Sequence, residues 1–314
     1  MNIKAALPAS FREELASRLP AWVAPVWFSS RADGLVACQD AEIGWLDLGS
    51  RQEMSDLINA ATRMRWFNTQ FAGLDSLPVQ TLLERKVVVT NGTGLNAITI
   101  AEYVLMGMLT MAKGYREVVR AQDRREWLTT APGRIELSGS RALLIGYGAI
   151  GQLVAERLKV FDVDVSVVRR SGGAGGFVGP DEWRGRLAEF DWIILAVPAT
   201  VETVKMIGAN ELALMKPSAV ILNVARGSLI DQDALLDALK ARRLGGAFLD
   251  VTSPEPLPPA HGLWGLDNAH ISMHLSGRSQ TRIVERAARR FLDNVMRYAE
   301  GLPLKNVVDL QRGY

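Results

Sequence analysis

The segment Arg141 to Ser171, RALLIGYGAIGQLVAERLKVFDVDVSVVRRS, constrains this chain more than any other stretch. An apolar run, Ala142 to Ile145, stops at Gly146-Tyr147-Gly148, and Gly151 follows three residues later. Ile150, Leu153, Val154, Ala155 and Leu158 then fall on one helical face, and a second apolar run, Val163 to Val168, ends at two arginines. Strand, glycine turn, helix and strand form the unit in which a GxGxxG spacing binds a dinucleotide. In that reading Gly146 permits the sharp turn off the strand and Gly148 lets the backbone approach a pyrophosphate. Gly151 lets the helix lie against the strand. The helix start, with Ala149 and Ile150, then offers free N–H groups and the helix dipole to the phosphates.

The end of the second strand discriminates between dinucleotides. NAD sites place Asp or Glu about 20 residues past the glycines, to accept from the ribose 2′-OH. Here Arg169, 18 residues past Gly151, is followed by Arg170 and Ser171, with no acid among them. Two guanidiniums and a hydroxyl match a 2′-phosphate through charge-assisted bonds. The sequence therefore predicts NADP(H) in preference to NAD(H).

At 314 residues the chain suits two lobes, and a 48% hydrophobic content is enough for two cores. Lys and Arg total 36 against 34 Asp and Glu, so the net charge of +2 gives no electrostatic reason to expect nucleic acid or a membrane surface as partner. The single cysteine, Cys38, excludes an internal disulfide and a cysteine-based metal site, and no metal is expected. A reducing cytoplasm fits. The opening residues, MNIKAALPASFREELASRL, carry charges where a secretory signal has its apolar core. The longest apolar stretch, Ile98 to Ala112, is interrupted by Glu102 and is too short to span a bilayer.

Before the fingerprint, Ile3 to Leu7, Gly34 to Ala37, Ile43 to Leu46 and Trp66 to Thr69 read as strands. Phe11 to Leu19 and Arg51 to Ala61 read as helices, so a small parallel α/β lobe is expected there. Phe71-Ala72-Gly73-Leu74-Asp75 follows one of these strands, and exposed N–H groups at such a turn bind carboxylates. From Asn96 to about Arg120 a long helical pattern runs, and Arg124 to Gly139 is polar and irregular around Trp127. Beyond the fingerprint, Asp191 to Val197, Ala219 to Val224, Gly246 to Val251 and Ala269 to Met273 read as strands, with a helix capped by Asp231. A last helix begins at Arg282, with Val284, Ala287, Phe291, Val295 and Tyr298 on one face.

Parallel α/β sheets bind ligands at the carboxyl ends of their strands. Three strands of the fingerprint lobe end in chemistry: Arg226, then Asp250 with Glu255 beyond it, then His274. An Arg, a carboxylate and a His beside a nicotinamide suit hydride transfer to a keto acid. Arg grips the substrate carboxylate, His⁺ supplies the proton, and the carboxylate holds the imidazole. His270 and His274 share a face of the presumed strand, so periodicity alone does not choose between them; position at the strand end favours His274.

Four motifs give the chain a resemblance to the D-isomer-specific 2-hydroxyacid dehydrogenases: GYGAIG, NVARGSLIDQDALLDAL from Asn223, GAFLDVTSPEPLPPAHGLW from Gly246 and ISMHLSG from Ile271. The resemblance implies Arg226, Glu255 and His274 as the catalytic set. It implies that Ala72 and Gly73 hold the substrate carboxylate through their N–H groups together with Arg226, and that His274 meets the substrate at its carbonyl. It implies further cofactor contacts at Val197, Pro198, Thr203, Val224 and Ala225, and at Asp250 with the nicotinamide amide. The expected fold is α/β: two Rossmann-like or flavodoxin-like lobes, each a doubly wound parallel sheet, with the active site in the cleft between them. Residues 1–90 and 283–314 are expected to form the substrate lobe and 91–282 the dinucleotide lobe.

The arginines after the second strand, the length and the closing RGY resemble the NADPH-dependent glyoxylate/hydroxypyruvate reductases of that family. That resemblance implies a homodimer acting on small 2-ketoacids; Trp66, Phe71 or Trp264 are candidates for the substrate wall, and the segment around Trp127 is either an arm to a second subunit or simply a loop. Two other activities fit the same fold: oxidation of formate or phosphite, and a non-catalytic cofactor-sensing corepressor. One departure stands out, because the family's His usually follows Thr-Pro and His274 follows Ser272-Met273.

Overall fold

A computed structural model describes residues 2–73, 77–170 and 177–311. The chain divides into two compact units, Met1–Asn96 with Gln280–Tyr314, and Ala97–Ser279.

In the first unit, β1 (Ile3–Pro8), β2 (Val23–Phe28), β3 (Ile43–Trp45), β4 (Trp66–Asn68) and β5 (Val88–Thr90) form a parallel sheet in the order β2-β1-β3-β4-β5. The order reverses between β1 and β3, the doubly wound pattern that opens a ligand crevice at the carboxyl ends of the strands. The helix Ile283–Ala299 covers one face with Ala287, Ala288, Phe291 and Val295. Phe291 lies near Trp45 and Trp66, with ring centroids 5.1 and 5.2 Å away. Each such buried aromatic contributes about 1.5–3 kcal/mol of apolar burial.

Two expectations change here, and one strand is added. Gly34 to Ala37 belongs to a helix, Arg31–Cys38, started by the Ser30 side chain accepting from the Asp33 N–H. A four-residue apolar run does not separate a strand from a buried helix turn. The strand beside β1 is Val23–Phe28, which Pro25 argues against in isolation; on a sheet edge, proline's missing N–H is tolerated. Phe11 to Leu19 shortens to a single turn of helix, Arg12–Leu15.

In the second unit, β6 (Arg141–Ile145), β7 (Asp164–Val168), β8 (Trp192–Leu195), β9 (Val220–Asn223), β10 (Gly246–Leu249) and β11 (Ala269–Ile271) form a parallel sheet in the order β11-β10-β9-β8-β6-β7. Val178 makes a parallel bridge to Val168 on the outer side of β7, so a vestigial strand continues the sheet there. Leu143 and Ile145 face one core while Ala142 and Leu144 face the other, as a sheet covered on both sides requires. The helix Ala97–Lys113 packs on it through Gly107, where a Cβ would lie 2.8 Å from the Phe248 ring. The long helix expected to about Arg120 breaks at Gly114 (φ 60°) and restarts as Tyr115–Asp123, because only glycine takes that left-handed turn without strain. Among the described residues no helix is long and apolar enough to cross a membrane.

Candidate active site

β6 delivers the chain to Gly146 at φ 110°, where a Cβ would stand 2.4 Å from the Ala196 carbonyl oxygen. At Gly151 a Cβ would stand 2.1 Å from the Gly146 oxygen. Neither position admits a side chain. Around Gly148 nothing lies within 4 Å of the Cβ position, and the helix Ala149–Val160 starts directly behind it with no side-chain cap. Uncapped N–H groups of the first turn, facing open space behind a glycine, are the donor set a phosphate requires. The cradle fits the pyrophosphate of a dinucleotide, and it lies where the strand order reverses between β6 and β8.

At the end of β7 the Arg169 guanidinium lies 4.0 Å above the Phe177 ring, whose edge meets Tyr147 at 5.0 Å. Arg170 pairs with Glu202 at 3.3 Å, both side chains being well exposed. Ser171 lies outside the described residues. Glu202 was absent from the sequence reading, because only the fold brings the loop after β8 near the end of β7. In that loop the Thr203 hydroxyl donates to the Pro198 carbonyl at 2.8 Å and accepts from the Thr200 N–H at 2.7 Å, while Val197 packs against the core. Val224 is buried, and Ala225 donates its N–H to the Asn223 side chain.

Three neighbouring strands, β9, β10 and β11, then present the titratable groups. Arg226 follows β9 in extended backbone; its Nη1 donates to the Ala225 carbonyl at 2.8 Å, and its own carbonyl accepts from Asn223. A Cβ on Gly227 would lie 2.1 Å from the Thr252 carbonyl, so this turn is pressed against the loop after β10. Glu255 in that loop accepts from the Thr252 N–H through Oε1 at 3.1 Å and faces His274 Nδ1 through Oε2 at 2.7 Å. A carboxylate acceptor places the imidazole proton on Nδ1 and leaves Nε2 for exchange with a substrate. The pair is half-exposed.

That geometry separates the histidines. His270 lies on β11 and is largely buried, and burial with Arg116 nearby lowers its pKa. His261 accepts from the Leu263 N–H through Nδ1 and lies 3.3 Å from Gln232 Nε2. Only His274 meets Glu255.

Asp250 anchors the loop that carries His274. It is 1% exposed, and its Oδ1 accepts from the Ser272 hydroxyl at 2.7 Å and from the N–H groups of Leu275 and Ser276 at 3.1 and 3.2 Å. Its Oδ2 accepts from the Ser276 hydroxyl. Both oxygens thus take hydrogen bonds from the His274 loop, and Asp250 shapes that loop. The loop needs such an anchor. Met273 and His274 both take left-handed backbone, at φ 55° and 56°, which costs roughly 1–2 kcal/mol per residue. Ser272 and Ser276, unremarkable in the sequence, supply the hydroxyls.

Gln232 is a second residue that sequence reasoning missed. Its side-chain amide accepts from the Ser253 N–H at 2.9 Å and donates to the Ser253 carbonyl at 2.8 Å, clamping the loop that carries Glu255. Its only sequence signal is its place after Asp231, which caps the helix Gln232–Lys240 as expected.

The first unit carries its own polar turn. The Gln70 N–H donates to Asp47 at 2.8 Å and the Phe71 N–H to the Thr69 hydroxyl at 3.1 Å. The Phe71 carbonyl accepts from the Gly92 N–H and the Ala72 carbonyl from Asn91. The N–H groups of Ala72 and Gly73 donate to no described residue.

The sequence profile described as "D-isomer specific 2-hydroxyacid dehydrogenase, NAD binding domain" matches residues 105–276. The chain is 30% identical over 264 residues to a glyoxylate reductase of Korarchaeum cryptofilum, covering 81% of this chain and 79% of that one. It is equally 30% identical, over 260 residues, to a D-3-phosphoglycerate dehydrogenase of Archaeoglobus fulgidus, covering 82% of this chain but only 49% of that longer one. Among solved structures, a D-isomer specific 2-hydroxyacid dehydrogenase family protein from Aeromonas salmonicida superposes with a TM-score of 0.86 at 29% identity, over 98% of this chain and 99% of that one.

Proposed function

Because the chain belongs to the D-isomer specific 2-hydroxyacid dehydrogenase family, we propose that it reduces small 2-ketoacids, glyoxylate or hydroxypyruvate, to 2-hydroxyacids with NADPH. The 2.7 Å pair between His274 and Glu255 carries this reading. When bound, the dinucleotide supplies the hydride. His274 gives its Nε2 proton to the substrate carbonyl oxygen, while its Nδ1–H stays on Glu255, which fixes the tautomer and stabilises the imidazolium. Arg226 grips the substrate carboxylate and polarises the carbonyl. We assign the same carboxylate to the N–H groups of Ala72 and Gly73, which have no other described acceptor.

Arg169 and Arg170, with Ser171, support NADPH over NADH, and the glycine cradle at Gly146 to Gly151 supports the common pyrophosphate. The unit Met1–Asn96 with Gln280–Tyr314 is proposed to serve the substrate and Ala97–Ser279 the dinucleotide, boundaries a few residues from the expected 90 and 283. A homodimer is proposed from the exposed apolar side chains of Tyr115, Val118 and Val119 and from Trp127, which is 93% exposed. Sedimentation at micromolar protein tests it.

The test of function is NADPH and NADH oxidation with glyoxylate, hydroxypyruvate, pyruvate and a bulky aryl ketoacid, alongside D-3-phosphoglycerate in the oxidative direction. Higher kcat/KM for glyoxylate or hydroxypyruvate with NADPH is expected. Turnover of D-3-phosphoglycerate alone, or of nothing, refutes the reading.

A further inference from the structure

Asp47 is a buried acid that the chemistry above leaves unused. It stands two residues beyond β3, at the carboxyl end of the first unit's sheet, and is 7% exposed. Its Oδ2 accepts from the Trp45 indole N–H and from the Gln70 N–H, both at 2.8 Å. Its Oδ1 is buried with no hydrogen-bond partner. A half-satisfied buried carboxylate opposes folding, so its presence calls for a reason other than stability.

The reason lies in the turn it holds. Gln70 donates to Asp47 directly, and the next amide, Phe71, donates to Thr69, whose hydroxyl lies against the same carboxylate. From the other side Asn91 and Gly92 hold the carbonyls of Ala72 and Phe71. Gly92 comes so close that a Cβ on it would overlap the Gln70 carbonyl oxygen, at 1.7 Å. Two successive amides are therefore tied back, and the two that follow, at Ala72 and Gly73, are left as a pair of donors. We propose that Asp47 is a positioning residue for substrate recognition: by anchoring Gln70 it sets the Ala72 and Gly73 N–H groups for a substrate carboxylate. This rests on the carboxylate-binding role given above to those two groups.

The test compares Asp47→Ala with Asp47→Asn. Asn keeps an acceptor for Trp45 and Gln70, whereas Ala keeps none. In Asp47→Ala, amide exchange across residues 69–73 should accelerate roughly tenfold or more, and KM for glyoxylate should rise by a similar factor. The kcat should stay within about threefold and the KM for NADPH should not move, because both depend on groups outside this turn. Asp47→Asn should restore exchange protection and KM together. Unchanged exchange in Asp47→Ala overturns the inference, as does a loss confined to kcat or one that Asn fails to restore. Wild-type protein that reduced no ketoacid would remove the proposed reaction, and the exchange comparison would still decide whether Asp47 holds the turn.

Discussion

Asp47→Asn should change how stability depends on pH, and the size of the change follows from burial. Desolvation pushes the Asp47 carboxyl up from 3.8 to about 6, against the opposing pull of the Gln70 N–H, Thr69 and Trp45. A group whose pKa is higher folded than unfolded favours the folded state at low pH. That contribution is complete below the unfolded pKa near 3.8 and is lost as pH rises through the folded value near 6. With about 1.4 kcal/mol per pKa unit, the wild type gives up about 3 kcal/mol from this one group between about pH 4 and pH 7. Asparagine does not titrate, so the stability of Asp47→Asn relative to wild type should climb by that amount over the same interval. The offset at low pH depends on how the new amide hydrogens are satisfied, so the climb is the decisive quantity. Two units need not unfold together, so denaturant-dependent amide exchange in the first unit is the appropriate assay. A stability difference that stays flat from pH 4 to 7, or that shrinks as pH rises, would refute the account of Asp47.

Three further outcomes follow from the second unit. His274→Asn should lower kcat by roughly 10²–10⁴ with NADPH still bound, as read by cofactor fluorescence; normal turnover would remove His274 from the chemistry. Glu202→Gln should strengthen NADPH binding relative to NADH by roughly three- to tenfold at low salt, because it removes a negative charge beside Arg170 that repels a 2′-phosphate, and added salt should erase the gain. Equal shifts for the two cofactors would show that Glu202 does not bear on the 2′-phosphate. Gln232→Glu should cut kcat roughly tenfold or more, since a carboxylate turned toward the Ser253 carbonyl has no hydrogen to donate; unchanged kcat would separate Gln232 from the positioning of Glu255.

The sequence was most legible where chemistry sits at a strand end. Arg226, Glu255 and His274 each follow an apolar run of the second unit, and the fold brings β9, β10 and β11 side by side. The glycines of GYGAIG were legible because their cause is local: a turn at positive φ and a helix start pressed against it. Asp47, Glu202 and Gln232 were not, because each acts on a residue 20 or more positions away, across strands whose order no periodicity reveals. The strand Val23–Phe28 and the helix break at Gly114 were not legible for a related reason. Whether proline is tolerated depends on Val23–Phe28 being an edge strand, and whether glycine ends a helix depends on the left-handed turn it adopts there.

The two buried aspartates show one device at two levels of completion. Asp47 and Asp250 each follow a central strand of a parallel sheet, and each ties down the backbone that leaves the neighbouring strand. Asp250 receives four donors, two of them backbone N–H groups, and both of its oxygens are engaged. Such a carboxylate recovers much of the hydration it loses, so it can hold a loop with two consecutive left-handed residues in place at modest cost. Asp47 has one oxygen engaged and the other bare, and its carboxyl is pushed up accordingly. The missing proline before His274 therefore does not leave that loop slack: hydrogen bonds from Ser272, Leu275 and Ser276 do the fixing that a rigid ring does elsewhere. By the same logic the Ala72–Gly73 turn, held by a carboxylate only half satisfied, is the more yielding of the two.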